Sequence, residues 1–354
     1  MGAFEDFSGK ISAAVFKKDL LNRRGASRDE VICGPQFGVD TALIDLENGN
    51  ALAVSSDPLS LIPSLGMKVS AWLSIHLLAN DLCTTGFAPQ YAQFVLNLPS
   101  SMSREQFGEY WQYIHELCTD LNIAITGGHT GQVPGQESTI SGGGTMFLQA
   151  PKEKLLSSNR AKAGNSIILT KGAALSSTSL LAMAFPNFVS DALGDEIQHK
   201  AAANFWKLSV LPEALLASST LLPNKELLAM HDVTEGGVLG ALDEMADASG
   251  LGFSVKKSGI PVSDEVEKVA KLFGIDPLIS IGAGALLMAV EEGSEEKLLQ
   301  AYQEKGIEAS CIGQFTADPK KEIIAEKNQK SIFDFNGKDP YWDAFYEAIK
   351  SGKS

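Results

Sequence analysis

Leu78-Ala79-Asn80-Asp81-Leu82-Cys83-Thr84-Thr85-Gly86-Phe87-Ala88-Pro89, read with Ile125-Thr126-Gly127-Gly128-His129-Thr130-Gly131, decides how the rest of this 354-residue chain is understood. Each stretch sets glycine and short polar or acidic side chains where an apolar element runs out. Such corners let backbone N–H groups approach phosphate, while carboxylates hold the magnesium that accompanies it. The pair points to nucleotide handling and leaves the substrate open.

Outward from these stretches, helical spacing over residues 66–79 puts Trp72, Ile75, Leu78 and Ala79 on one face, with Asn80 and Asp81 at or just past the helix end. Strands are expected at residues 31–33, 41–45, 51–55, 91–98 and 123–126, the last feeding the glycine-rich exit. Residues 103–121 read as a helix opening with a capping box, Ser103 to Gln106. A strand over 138–148 looks broken by Gly142-Gly143-Gly144. The polar stretch 152–164 marks a boundary, giving domains 1–153 and 154–354. Beyond it come a strand at 166–170, helices at 176–184, 191–210, 238–248 and 294–305, a buried strand at 286–290 and an aromatic tail at 341–346. Strands outnumber a simple alternating βα pattern, so the expected class is α+β.

The length suits two domains, each with its own core. A net charge of −14 argues against nucleic acid or an anionic membrane as partner, since both need a basic face. No apolar run approaches the roughly 18–20 residues that span a bilayer. The start, Met1 to Phe7, lacks the basic and apolar regions of a signal peptide. Cys33, Cys83, Cys118 and Cys311 are scattered and form no CxxC, which fits buried thiols in a reducing cytoplasm. Cys83, near Asp81, is read as packing rather than as a reactive thiol.

Asp57 in Ser55-Ser56-Asp57-Pro58 has an ordinary turn reading, and Asp81 and Asp40 have equally plain ones. Three short acids at the edges of apolar elements in one domain also suit magnesium, which needs few protein carboxylates. Gly127-Gly128-His129-Thr130-Gly131 matches neither standard phosphate fingerprint and serves equally as a tight turn. His129 is either an acid–base group or a locally satisfied histidine. In His231-Asp232-Val233-Thr234-Glu235-Gly236-Gly237, Asp232 as N-cap with Glu235 at the third position makes a capping-box variant. The same glycine-opened helix start is an anion site, and the two readings are compatible.

With these residues in place, the chain resembles the PurM-like ATP-binding superfamily, which includes aminoimidazole ribonucleotide (AIR) synthase, thiamine-monophosphate kinase, selenophosphate synthetase and the hydrogenase-maturation protein HypE. Among these it looks most like HypE and the AIR synthase-related proteins. Residues 79–89 match an Asn-Asp-x-x-x-x-Gly-Ala-x-Pro segment, 123–130 an Ile-Ala-Ile-Val-Thr-Gly-Asp-Thr segment, and 231–237 an Arg-Asp-x-Thr-Arg-Gly-Gly segment. The likeness extends in order over residues 35–315. It implies two domains, with N-terminal strands pairing across a homodimer into a β-barrel and a C-terminal α/β domain. It also implies ATP with Mg²⁺, the metal on Asp57, Asp81 and Asp40, and phosphates near Asn80, Gly127, Gly128, Thr130 and Gly131. Thr234, Gly236 and Gly237 would line the nucleotide or substrate, with Asp232 and His129 as catalytic candidates.

The departures from the family pattern concern carboxylates. Val39 replaces an acid in Gly38-Val39-Asp40-Thr41-Ala42, His129 and Asn165 stand where relatives have Asp, and Ala283 where HypE has Glu. The last cysteine is Cys311, so the dehydration that HypE carries out on its own terminal cysteine is not expected. The leading expectation is an ATP-dependent enzyme that activates an oxygen of a small molecule by phosphoryl transfer. The alternatives are a small-molecule kinase resembling thiamine-monophosphate kinase, and a catalytically silent nucleotide-binding assembly partner. The aromatic residues 341–346 pack against the body or dock such a partner.

Overall fold

A computed structural model describes residues 9–136, 139–335 and 337–354. The chain folds as two compact units. One is formed by Glu30–Gly34 and Asp40–Leu155, the other by Leu156–Ser354 together with Pro35–Val39 and the segment ending at Asp29. The second unit thus takes in N-terminal residues. Specific bonds hold them there: the Lys10 ammonium lies 2.9 Å from a Glu244 carboxylate oxygen, and the Gln36 amide donates to the Ala248 carbonyl.

The first unit is a six-stranded sheet in the order β1-β2-β3-β6-β4-β5, with β1 Val31–Cys33, β2 Ala42–Asp45, β3 Asn50–Ser60, β4 Tyr91–Pro99, β5 Ala124–Val133 and β6 Ile140–Pro151. Only β4 and β5 run parallel; the other pairs are antiparallel. Helices α2 Met67–Cys83 and α3 Arg104–Asp120 cover one face; the short α1, Ala13–Val15, precedes them in the chain and belongs to the second unit. The alternation of β4 sends Ala92, Phe94 and Leu96 under the helices and leaves Tyr91 and Val95 exposed on the other face. Tyr110 of α3 is buried, and its hydroxyl meets Ser74 Oγ and the Ser60 carbonyl, each at 2.9 Å, so the one phenol in that core is hydrogen-bonded. The Ser103–Gln106 capping box that opens α3 is formed in both directions.

Three elements differ from the sequence reading. β3 continues straight through Asp57 and Pro58, which pair with Gly144 and Gly143, so Ser55-Ser56-Asp57-Pro58 is strand and not a turn. β5 likewise runs through Gly127 to Gly131, paired with residues 93–97 of β4, so these glycines form no loop. β6 is unbroken at Gly142-Gly143-Gly144; a Cβ at Gly142 would lie 2.0 Å from the Val95 carbonyl oxygen, and glycine keeps the strands together there. The expected start of that strand, Ser138, and the stretch Met1 to Phe7 lie outside the described residues. The sheet is open, with β1 and β5 at its edges, and no closed barrel forms among the described residues.

The second unit is a seven-stranded sheet in the order β13-β12-β9-β11-β7-β10-β8. Its strands are β7 Ser166–Thr170, β8 Leu227–Asp232, β9 Gly252–Lys256, β10 Leu286–Val290, β11 Ala309–Thr316, β12 Lys321–Ile324 and β13 Lys330–Ile332. β7, β8 and β10 are buried along their whole length, which fits the apolar residues 167–169, 227–230 and 286–290. The helices are α4 Leu175–Ala184, α5 Pro186–Leu193, α6 Asp195–Ala203, α7 Leu211–Thr220, α8 Gly237–Ser249, α9 Asp264–Phe273, α10 Glu295–Glu304 and α11 Pro340–Lys350. The helix expected over 191–210 is interrupted at Gly194, whose φ of 88° ends α5 and begins α6. Tyr341 is buried and Trp342 and Phe345 are partly so, packed among α4, α5, α6 and α9. The aromatic tail is therefore core of its own unit, with Tyr346 and Ile349 left exposed. Among the described residues no helix is long and apolar enough to cross a membrane.

Candidate functional site

In the first unit the acids gather where α2 ends beside β3. Asp81 occupies the last turn of α2, and its Oδ2 accepts a 2.9 Å hydrogen bond from Ser55 of β3. Asp57 lies two residues further along β3 and so projects from the same face as Ser55. Both acids are half-buried. The carboxyl end of a helix carries partial negative charge, and α2 has no basic residue in its last turn. A carboxylate there, with a second one beside the same serine, makes a site of concentrated negative potential built only from oxygen donors. That donor set fits a hard divalent cation such as Mg²⁺, which takes one or two protein carboxylates and leaves room for phosphate and water. Asn80, one residue earlier, is fully buried, and Asp40 is half-buried just before β2.

The glycine-rich strand stands apart from these acids. Asp57 is level with Gly144 and Phe94, on the helix-covered face, whereas His129 pairs with Val95 and is exposed on the opposite face. β5 is an edge strand, bonded only to β4 among the described residues, and Gly127, Gly128 and Thr130 are all exposed. Gly128 has a steric reason to be glycine: at φ 142° its Cβ would fall 1.8 Å from the Phe94 carbonyl oxygen. The sequence grouping of His129 with Asp57 and Asp81 thus separates onto two faces of one sheet.

In the second unit the loops after β7 and β8 and before β10 meet at one end of the sheet, because Leu286 pairs with Asp232 and its N–H donates to Thr170 Oγ1. Asp232 is the last, buried residue of β8. It is not an N-cap: α8 begins at Gly237 behind Gly236 in the left-handed region, with no side-chain cap. The N–H groups offered to an anion are taken by the chain itself. Gly237 donates to the Thr234 carbonyl at 3.2 Å, and Gly236 donates to Asp339 Oδ2 at 2.8 Å. Neither glycine has room for a Cβ, which would press Phe335 at Gly236 and the Leu278 and Ser280 carbonyls at Gly237. Burial pushes the Asp339 carboxyl up to about 6, with the nearby Glu235 charge adding to the rise and backbone N–H bonds opposing it.

Around this corner lie groups the sequence reading did not select. His231 is buried, with Nε2 3.2 Å from Glu244 Oε2, and Glu244 also holds Lys10. Lys171, at a positive φ of 57°, pairs with the buried Glu213 at 2.7 Å and donates to the Lys207 and Ser209 carbonyls. The short spacing Lys171-Gly172 is the local signal for it; the Lys10–Glu244 and Gly236–Asp339 contacts carry none, since their partners lie 234 and 103 residues apart.

Two α/β units of this construction define a PurM-like fold. Residues 38–147 match the model of the AIR synthase related protein N-terminal domain and 162–326 that of its C-terminal domain, and the chain belongs to this family. It is similar to a protein of Methanocaldococcus jannaschii named for hydrogenase expression and formation, 26% identical over 270 residues that make up 76% of each chain. The carbamoyl dehydratase HypE of Escherichia coli K12 is 27% identical over 292 residues, 78% of this chain and 80% of that one. The solved structure of the hydrogenase maturation protein HypE in complex with ATP superposes with a TM-score of 0.65 at 16% identity, covering 95% of this chain and 97% of that one.

Proposed function

We propose that this protein is an ATP-dependent enzyme that activates an oxygen of a small molecule by phosphoryl transfer. The observation that carries the reading is the Ser55–Asp81 hydrogen bond, which fixes a carboxylate of α2 beside the Asp57 face of β3 within the AIR synthase-related N-terminal domain. Asp57 and Asp81, with Asp40, would hold Mg²⁺, which would neutralise phosphate charge during transfer. Ser55 orients Asp81, and Asn80 and the edge of β5 remain the candidates for phosphate contacts. In the second unit Asp232 is the candidate proton acceptor and Thr234 a candidate substrate contact. His129 faces away from the Asp57 side, so no proton transfer at the acidic pair is placed on it. The ATP complex of HypE supports the nucleotide reading.

The exposed sheet face of the first unit supports a homodimer. Tyr91 stacks on Phe147 at 5.2 Å, and Tyr91, Val95, Val133 and Ile140 are exposed around the open edge at β5. An apolar face beside an unpaired strand edge invites pairing with a second copy.

Calorimetry of ATP·Mg²⁺ with wild type and Asp81→Ala tests the reading. We expect micromolar affinity, about −8 kcal/mol, weakened at least tenfold by the substitution. Product analysis then separates kinase from synthase chemistry, since a kinase leaves phosphate on its product. Absence of binding by a folded chain would overturn the enzyme reading in favour of an assembly partner.

A further inference from the structure

Both terminal segments converge on the loop between β8 and α8. From the C-terminal side, the Asp339 carboxylate accepts from Gly236 N–H at 2.8 Å and from Tyr341 N–H at 2.9 Å. One buried side chain thereby caps α11 and holds Gly236, the residue that precedes α8. Phe335 lies over Gly236 so closely that a Cβ there would sit 2.8 Å from its ring. From the N-terminal side, Lys10 N–H donates to the Glu235 carboxylate, and a Cβ at Gly9 would meet both Glu235 and the Trp342 indole nitrogen. The two segments therefore touch each other across Glu235.

We infer that these segments form a clasp on the Thr234–Gly237 corner, with Asp339 as its pin, and that the clasp loosens as pH rises through the range in which Asp339 ionises. A carboxylate at the start of α8 is favoured by the helix dipole, but this one is largely withdrawn from water, and removal of its proton leaves a desolvated charge. Its pKa of about 6 in the closed state stands above the ordinary 3.8. The closed state therefore binds the proton more tightly than the open one. Closure is fully favoured below about pH 4, loses strength up to about pH 6, and is weaker by roughly a hundredfold above that. The charged and titratable groups on the surrounding segments are Glu235 on the corner, Lys10 with its ammonium on Glu244, Tyr341 and Tyr346 on α11, and the Lys338–Asp343 pair at 3.3 Å. Glu235 raises the Asp339 value further, so its repulsion acts with burial.

Hydrogen–deuterium exchange of the whole chain without nucleotide tests it, at pH 5 to 8 with labelling times scaled for intrinsic exchange. Peptides covering 233–242 and 333–345 are expected to lose protection together as pH rises, by about tenfold in the opening constant between pH 5 and 8, the rest of the hundredfold change lying below pH 5. In Asp339→Asn the same peptides should show protection that no longer changes with pH. Phe335→Ala should raise opening at every pH without moving the midpoint. Protection in wild type that is flat from pH 5 to 8 would overturn the inference even if Asp339→Asn failed to fold. An unchanged pH profile in a folded Asp339→Asn would overturn it as well.

Discussion

Gly128→Ala and Gly131→Ala sit three residues apart on the same exposed strand, yet their effects should differ sharply. At Gly128 the φ is 142°, and a Cβ would stand 1.8 Å from the Phe94 carbonyl oxygen and 2.9 Å from its nitrogen. Those are backbone atoms of the paired strand, so no side chain can swing aside to relieve the contact. Backbone strain of about 1–3 kcal/mol adds to the loss of neighbouring ladder bonds at about 1 kcal/mol each. The expected cost is at least about 3 kcal/mol. At Gly131 the nearest atom to a Cβ is His129 Nε2 at 3.5 Å, an ordinary contact with a mobile exposed ring. Alanine there should be neutral or stabilise by up to about 1 kcal/mol, since it restricts the unfolded chain. Because two units need not unfold as one, hydrogen exchange in residues 91–99 and 124–133 is the suitable assay. Opening should be at least a hundredfold more frequent in Gly128→Ala than in Gly131→Ala. If the two variants open within a factor of three of each other, β5 is not held by the close approach at Gly128, and its glycines regain the loop role that their sequence suggested.

Lys321 bridges Asp243 at 2.6 Å and Asp247 at 2.7 Å while itself only 16% exposed, so Lys321→Met should cost about 1–3 kcal/mol by leaving Asp243 unpaired. Burial already raises the Asp243 carboxyl, and loss of the ammonium raises it further. A proton on Asp243 removes the unpaired charge, so urea titrations of the second unit should show a smaller loss at pH 5 than at pH 8. Alkylation of the folded protein at pH 8 should label Cys311, which is exposed, and spare Cys33, Cys83 and Cys118. Cys118 should be the slowest of all, because burial pushes its thiol up to about 12; rapid labelling there, followed by mass spectrometry of its peptide, would contradict the packing around α3.

Elements with one dominant signal were readable from sequence. Ser103 and Gln106 satisfy the first amides of α3 reciprocally, and the alternation of residues 91–98 could be satisfied only by a strand with one covered face. Glycines and prolines misled because their local meaning depends on what lies across the sheet. Asp57-Pro58 reads as a turn until β6 offers Gly144 and Gly143 opposite, and Gly142 reads as a break until Val95 is seen to need its space. The helix drawn through residues 191–210 failed for a local reason, since Gly194 takes a φ of 88°.

The site was legible as residue types and not as geometry. Asp57 and Asp81 could be picked out as acids at the ends of apolar runs, but only pairing through Ser55 shows which face they share, and only the register of β4 with β5 shows that His129 lies on the other. The anion corner teaches a sharper lesson. Glycines before an amphipathic run offer amides to a negative group, and that inference from sequence was chemically sound. The negative group that arrives at Gly236 is Asp339, 103 residues later and followed by a proline that starts its own helix. No window of sequence contains both partners. Neighbouring residues can show that a helix start wants an anion; which anion reaches it is decided by where the chain's own carboxylates fold, and here a ligand phosphate would have to displace one of them.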